Sequence, residues 1–315
     1  VTYTPTTDFT GTDTFTFKAN DGKVDSSTKT VTIKVINEYL SSAQILSDID
    51  GNAAGDQFGN SISFNEDATV MAIGAFGNDG NGTSSGHVRI YNYISNAWTQ
   101  LGADIDGVTA GDQSGQSVSL SSDGITVAIG ANNNDSNGAD SGHVRVYNYN
   151  GTTWSQLGSD IEGEAVNDYS GSSVSLSSDG KIVAIRAYGN DGNGTDSGHV
   201  RIYNYNGTAW AQLGGDIDGE AVNDAYNNSR PQPLSLSSDG TIVAIGAIFN
   251  DGNGVDSGHV RVYNYNGTSW AQLGADIDGE TANDHFGWSV SLSSDGKTVA
   301  TGAVDNDGNG SGSGH

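Results

Sequence analysis

The sequence predicts an all-β protein, namely a β-propeller of four-stranded blades preceded by a partial β-sandwich. The main observation is a repeat: the pattern Gly-His-Val-Arg-(Ile/Val)-Tyr occurs four times, and a fifth copy begins at Gly314. Its histidines are His87, His143, His199, His259 and His315, in steps of 56 residues apart from one of 60. A period of this length indicates a modular array. Four predicted strands in each period match one propeller blade.

The strands of one blade can be placed in the unit that runs from residue 101 to 156. They are Ser117–Ser121, which alternates polar and apolar residues, the almost wholly apolar Ile125–Gly130, then His143–Asn148 and Thr152–Leu157. Alternation of polar and apolar residues is typical of a half-buried strand. A continuous apolar run is typical of a strand that is covered on both faces. The dipeptide Asn150-Gly151 predicts a tight hairpin turn whose two central residues adopt positive φ. A parallel β-helix is the alternative, but its coils are usually shorter and lack hairpin turns.

Tryptophans and turn aspartates recur in the same register and define the blades. These markers are Trp98, Trp154, Trp210 and Trp270, with Asp67, Asp123, Asp179, Asp239 and Asp295. The predicted blades cover residues 44–100, 101–156, 157–212 and 213–272, followed by a truncated fifth at 273–315. The longer step reflects extra residues within 227–233. We therefore expect four complete repeats and part of another.

The segment before the repeats has a different pattern. Three alternating strands are predicted at Val1–Tyr3, Thr12–Lys18 and Thr28–Val35, which is half of a sandwich. Residues 1–37 form this predicted module, and residues 38–43 form a linker. The chain begins inside one strand and stops inside a repeat, so we interpret it as a piece of a longer polypeptide.

Composition limits the functional classes. The 315 residues carry 12 Lys and Arg against 38 Asp and Glu, a formal net charge of −26. Such a field repels nucleic acid and attracts cations and basic partners, so a nucleic-acid partner is excluded. The sequence has no run of about 18 apolar residues, so we expect no direct membrane insertion of this segment. It has no cysteine, so disulfides do not stabilise the fold.

The repeat resembles the FG-GAP repeat of integrin α-subunit propellers and microbial surface proteins. Phe58-Gly59 with Gly74-Ala75, and Phe286-Gly287 with Gly302-Ala303, carry the motif. Central copies keep only the glycine, as at Ser114-Gly115 and Ser170-Gly171, and Arg186 replaces the first glycine of Gly-Ala in one copy. The resemblance covers residues 44–315 and implies a propeller. Integrin-type calcium sites do not follow from it, because the matching segment, Ser121–Gly124, is too short to encircle an ion.

The N-terminal segment resembles the second half of a bacterial cadherin-like or Ig-like adhesin repeat. Tyr3-Thr4-Pro5, Gly11-Thr12-Asp13, Phe15-Thr16-Phe17 and Ala19–Gly22 carry this resemblance. Such repeats occur in tandem on large secreted or surface proteins. The resemblance implies an extracellular or cell-surface location.

A polar loop between the second and third strands of each blade is the candidate calcium site. Oxygen side chains at its first, third and sixth positions, with glycine for a sharp turn, suit a hard cation such as Ca²⁺. The candidate ligands are Asp135, Asn137 and Asp140, then Asp191, Asn193 and Asp196, then Asp251, Asn253 and Asp256. The alternative is that Asp, Asn and Gly are simply the residues of which turns are made.

Other repeated residues have competing interpretations. An Asp-x-(Asp/Glu)-Gly stretch at 104–107, 160–163, 216–219 and 276–279 is either a calcium ligand set or, more commonly, a solvated inter-blade turn. The repeat histidines are interpreted as packing or hydrogen-bonding residues. The Tyr-Asn-Tyr strands and the tryptophans are interpreted as blade core rather than as sugar-stacking surfaces.

These observations favour a non-enzymatic module that presents a repeated surface to an extracellular protein or glycan. A purely structural spacer is the second hypothesis. A secreted carbohydrate-active hydrolase or lyase is the third, with its active centre at the residues that break the repeat, Arg186, Arg230 and His285. Near-identical copies offer no catalytic asymmetry elsewhere, so the sequence predicts that the protein is not an enzyme.

Overall fold

The computed structural model describes residues 11–18, 22–35, 47–225 and 233–315. Within these residues every regular element is a β-strand, which confirms the all-β prediction. The chain divides into two compact units, residues 1–49 and residues 50–315. Over the same described residues there is no helix of a length and apolarity that would allow it to cross a membrane.

The first unit contains one antiparallel strand pair. Strand β1 (Gly11–Phe17) pairs with β2 (Lys29–Val35) in a register that joins Gly11 to Val35 and Phe17 to Lys29. These strands correspond to the predicted Thr12–Lys18 and Thr28–Val35. The predicted strand Val1–Tyr3 and the linker at 38–43 lie outside the described residues.

The second unit contains four blades of the same topology and one further strand pair. Blade 1 consists of β3 (Ser61–Phe64), β4 (Val70–Ala75), β5 (His87–Ile94), β6 (Ala97–Gln100) and β7 (Ile105–Asp106). Blade 2 consists of β8 (Ser117–Leu120), β9 (Thr126–Ala131), β10 (His143–Tyr149), β11 (Trp154–Gln156) and β12 (Ile161–Glu162). Blade 3 consists of β13 (Ser170–Leu176), β14 (Ile182–Ala187), β15 (His199–Tyr205), β16 (Trp210–Gln212) and β17 (Ile217–Asp218). Blade 4 consists of β18 (Leu234–Leu236), β19 (Ile242–Ala247), β20 (His259–Tyr265), β21 (Trp270–Gln272) and β22 (Ile277–Asp278), and β23 (Phe286–Leu292) then pairs with β24 (Val299–Ala303).

The fourth strand of each blade is interrupted. In blade 2, β11 pairs with the end of β10 (Tyr147–Tyr149), whereas β12 pairs with its beginning, at His143 and Val144. The two pieces therefore line one edge of the same strand and are separated by residues 157–160. The interpretation of 160–163 as a solvated inter-blade turn is wrong for residues 161 and 162, which form the second piece of this strand.

Apolar faces of neighbouring blades pack together to form the core. Between blades 1 and 2, Ile90 and Val88 of β5 meet Val127 and Ile129 of β9, and all four are buried. The second strand of blade 2 is buried at every position, in agreement with the apolar run that predicted it. Equivalent clusters lie between blades 2 and 3 and between blades 3 and 4.

Polar contacts join consecutive blades at fixed positions. The indole of Trp154 donates to Leu101 O at 2.8 Å, and Trp210 and Trp270 make the same bond one and two blades later. An indole N–H that is largely removed from water usually finds such an acceptor. The tryptophans are therefore inter-blade contacts as well as cross-strand partners of the tyrosines.

The hairpin prediction at Asn150-Gly151 is wrong in one respect. Only Gly151 has positive φ, and Tyr149 pairs with Trp154 across a four-residue loop. The Asn150 side chain accepts hydrogen bonds from the backbone N–H groups of Thr152 and Thr153, which stabilises this longer loop. Blade 1 instead has a two-residue turn with positive φ at both Ser95 and Asn96.

Candidate metal-binding clusters and polar loops

Each repeat histidine begins the third strand of its blade and lies in the interior. Alternation along β10 directs Val144 and Val146 into the core and His143 and Arg145 to the other face. His143 is only 2% exposed, and the histidines of the other blades are equally buried. The preceding Gly142 forms a bridge to Ser170 of the next blade, which fixes where the strand begins.

The break in the fourth strand brings an acid to this histidine. Asp160 lies in the break and accepts hydrogen bonds from Arg145 Nε at 2.9 Å and Nη2 at 2.6 Å. Gln156 Nε2 donates to the same carboxylate at 2.6 Å. The Nδ1 atom of His143 lies 3.7 Å from Asp160 Oδ2. The carboxylate is therefore shared between an arginine, a glutamine and a buried imidazole.

Four such histidine–acid clusters can hold a metal ion, because the ligand atoms in each lie within 4.8 Å of one another. The clusters are His87, Asp104 and Asp106; His143, Asp160 and Glu162; Glu164, His199 and Asp216; and Glu220, His259 and Asp276. Sequence reasoning did not bring these residues together. The signal was present, since the histidine and the first acid keep a constant separation along the chain in every blade.

The imidazoles of these clusters are neutral at physiological pH. Burial, reinforced by the nearby Arg145 guanidinium, lowers the pKa of His143 to about 4. Burial and the adjacent arginine likewise lower the pKa of His199 and of His259 to about 4. His143 Nδ1 and His259 Nδ1 have no hydrogen-bond partner. A neutral ring with a free nitrogen is the form that binds metals.

The donor set determines which ion these clusters suit. Ca²⁺ takes oxygen ligands, whereas imidazole with carboxylates suits Zn²⁺ and similar ions. The arginine on the same acid adds a positive charge that opposes any cation, at 3.1 Å from Asp104 in blade 1 and 2.6 Å from Asp160 in blade 2. The clusters therefore do not fit the predicted calcium.

The predicted calcium loops lie directly beside the clusters. The first acid of each loop accepts a hydrogen bond from the backbone N–H of the sixth residue, Asp135 from Asp140, Asp191 from Asp196 and Asp251 from Asp256, at 2.8–2.9 Å. The third residue donates its amide N–H to the end of the interrupted strand, Asn137 to Gly163 O, Asn193 to Gly219 O and Asn253 to Gly279 O, at 2.8–2.9 Å. Each loop is thus closed on itself and tied to the strand that carries the acids.

In two of the loops the first carboxylate acts on the carboxylate at the sixth position. Burial, followed by repulsion from Asp135, raises the pKa of Asp140. Burial and Asp191 raise the pKa of Asp196 in the same way. A cation between the two carboxylates would relieve this repulsion.

Two of the residues that break the repeat, Arg186 and His285, lie within the described residues and have different partners. Arg186 is buried, and its Nη1 donates to the backbone oxygens of Pro233 and Gly246. His285 pairs with Asp305, its Nδ1 lying 2.8 Å from the carboxylate, and packs edge-on against Phe249. Arg230 lies outside the described residues.

Comparison with known proteins confirms the two resemblances found in the sequence. The FG-GAP repeat family model matches residues 41–91, 105–147 and 273–315, and the bacterial Ig domain model matches residues 1–34. Blades 3 and 4 keep the same topology although the FG-GAP model does not match residues 148–272. No curated protein matches the chain.

Solved structures similar to the chain are β-propeller proteins. Hydrazine synthase of Kuenenia stuttgartiensis is 12% identical with a TM-score of 0.50, over 78% of this chain and 61% of that chain. The periplasmic gluconolactonase of Pseudomonas aeruginosa is 18% identical with a TM-score of 0.49, over 78% of this chain and 68% of that one. At these identities the likeness to hydrazine synthase concerns the fold alone. The chain spans only about three fifths of that protein's length.

Proposed function

We propose that this chain, which carries FG-GAP repeats behind a bacterial Ig domain segment, is a non-enzymatic binding module of a larger extracellular or cell-surface protein. The ligand is a protein or a glycan of the surroundings. One observation carries the proposal: blades 2, 3 and 4 present the same acidic loop between their second and third strands, and blade 1 keeps its first acid, Asp79. Repetition of a weak contact raises the overall avidity without any new contact.

The geometry of the loops supports this role. Asp135, Asp191 and Asp251 are exposed, whereas the loop backbones are fixed by the hydrogen bonds described above. A preformed loop loses little conformational entropy when it binds. The net charge of −26 favours a ligand with a basic surface.

Arg186 supports a binding role over the hydrolase or lyase alternative. That alternative requires an arginine with carboxylates around it, and Arg186 contacts backbone carbonyls instead. A spacer role remains the second candidate, because all blade contacts described here would serve it equally. Binding of a ligand by the loops distinguishes the binding module from the spacer.

The test uses two matched variants of the purified chain. In the loop variant, Asp79, Asp135, Asp191 and Asp251 are changed to Asn, which keeps the acceptor for the loop N–H. In the control variant, Asp123, Asp179, Asp239 and Asp295 are changed to Asn. This removes the same charge at the turns between the first and second strands, which lie at the opposite end of the strands from the loops. Retention on mucin and fibronectin coats is measured at physiological salt.

We expect the loop variant to lose at least tenfold in retention and the control variant to lose little. Equal retention by both variants would contradict loop-mediated binding, and no retention of the unaltered chain would favour a spacer. Turnover of a glycoside or lactone by the unaltered chain would contradict the non-enzymatic role.

Calcium at the loops is the finer part of the proposal, supported by the mutual repulsion of their carboxylates. Occupied sites stabilise the fold by about 1.4 kcal/mol each when free Ca²⁺ is tenfold above the dissociation constant. We expect a melting temperature raised by millimolar CaCl₂ but not by MgCl₂. The shift should shrink when Asp191 and Asp196 are both changed to Asn, and persist in Asp179→Asn. An identical shift in both variants would contradict calcium at the loops.

A further inference from the structure

Arg186 occupies a position that is glycine in the other blades. The equivalent residues are Gly74, Gly130, Gly246 and Gly302. At Gly130 there is no room for a side chain, because an added Cβ would overlap Gly171 O of the next blade. In blade 3 the side chain of Arg186 enters this inter-blade space and is only 4% exposed.

The guanidinium of Arg186 has no acidic partner among the described residues. Within the part of the chain that the structure describes, Nη1 alone is engaged, with Gly246 O and Pro233 O. Elsewhere each strand arginine has a carboxylate, at 3.1 Å for Arg89 and 3.2 Å for Arg201. A buried charge without a counterion is strongly unfavourable, so a missing anionic partner is the simplest explanation of this residue.

A cavity of about 30 Å³ lies at this guanidinium. Its lining includes the side chains of Arg186, Arg261, His199, His259 and Tyr263. Since one water molecule needs about 10–15 Å³ by this measure, the cavity accommodates about two water-sized groups. The two oxygens of a carboxylate have this size.

The guanidinium of Arg186 favours an anion in the cavity, and competing carboxylates lie 3.9 Å from Nδ1 of the lining histidines: Glu164 and Asp216 at His199, Glu220 and Asp276 at His259. Burial lowers the pKa of Arg186 to about 10, so the side chain stays protonated at neutral pH. Arg261 has one exposed acid, Glu220, at 3.4 Å. Asp218 stands exposed at the lining and opposes ligands of higher negative charge.

We propose that this cavity between blades 3 and 4 binds the carboxylate group of a small organic acid. The free Nε and Nη2 donors of Arg186 form a planar fork that matches the two oxygens of a carboxylate. Arg261 supplies a second guanidinium at the same cavity. This inference does not depend on the proposed adhesive function, since it concerns a single site and not the repeated loops.

The test is titration of the full chain with sodium acetate and with sodium formate by calorimetry and thermal melting, at constant ionic strength. The variants are Arg186→Gly, which restores the residue of the other blades, and Arg186→Lys, which keeps the charge but removes the fork. Lys181→Gln is the matched control, because it removes one exposed cation from the same blade.

We expect saturable binding to the unaltered chain and to Lys181→Gln, a loss of at least tenfold in affinity in Arg186→Lys, and no detectable binding in Arg186→Gly. The readout is the change that acetate causes, so an altered stability of a variant without ligand does not obscure it. The proposal is overturned by absent saturation in the unaltered chain, by equal binding in Arg186→Gly, or by chloride binding as tightly as acetate.

Discussion

Acidification should destabilise the protein between pH 7 and pH 5 through the repeat histidines. His143, His199 and His259 are each at most 4% exposed, and the pKa of each lies near 4 in the fold because of burial first and a neighbouring arginine second. In the unfolded chain an imidazole has its ordinary pKa of about 6.5. Between these two pKa values the unfolded chain binds more protons than the folded chain. The contribution of the histidines to the free energy of unfolding is therefore complete above pH 6.5 and is lost as the pH falls toward 4.

The size of the effect follows from the two pKa values. At pH 5 linkage gives a loss of about 2 kcal/mol for each histidine, and about 6 kcal/mol for the three together. This is a large part of the total stability of a domain, which is about 5–15 kcal/mol. Carboxyl groups whose pKa is raised by burial, such as Asp140 and Asp196, act in the opposite direction, because the folded chain then binds more protons than the unfolded chain.

Urea unfolding at pH 7.0, 6.0 and 5.0 with a chelator present measures this loss. His143→Asn removes one titrating ring, so its pH dependence should be smaller by about 2 kcal/mol. His315→Asn, a change at an exposed position, should leave the profile unaltered. A free energy of unfolding that stays constant from pH 7 to pH 5 would refute the reasoning that the rings are buried in the neutral form.

Two further predictions concern contacts between blades. In urea unfolding, Trp210→Phe should destabilise the fold by about 1–3 kcal/mol, because Leu157 O loses its indole donor. The control Tyr205→Phe removes a hydroxyl with no described partner and should change the free energy of unfolding little. Gly171→Ala should lower the melting temperature more than Gly151→Ala. Both glycines have positive φ, but a Cβ at 171 would lie 2.6 Å from His143 O, whereas a Cβ at 151 meets no atom within 4 Å. Similar losses within either pair would show that the inter-blade contact is unimportant.

The repeat made most of the fold predictable. The apolar run Ile125–Gly130 predicted β9 to within one residue at each end, because a strand covered on both faces has few polar positions. Local turn chemistry was harder to predict. Asn150 was assigned to a tight turn, but its side chain bonds to two backbone N–H groups and produces a longer loop. Local sequence does not distinguish these outcomes, since asparagine is favoured in both.

Calcium at the loop acids stays a prediction, and the histidine clusters were not predicted from the sequence. The loop acids were identified because Asp, Asn and Gly recur at fixed offsets in the chain. The histidine clusters were missed because Asp160 reaches His143 only through an interrupted strand, and a two-residue strand such as β12 has too short a pattern to be recognised. Burial of the histidine also depends on packing against the next blade.

The departures from the repeat in blades 3 and 4 belong together, although the sequence separates them. Where Gly130 is followed by a regular blade, the backbone at Gly171 fills the space beside it. The additional residues precede β18 in the sequence, and Pro233 is the last of them. Pro233 O and Gly246 O both accept hydrogen bonds from Nη1 of Arg186. Arg186 and the end of the longer spacing therefore meet in one inter-blade contact, which engages Nη1 and leaves Nε and Nη2 for the proposed carboxylate.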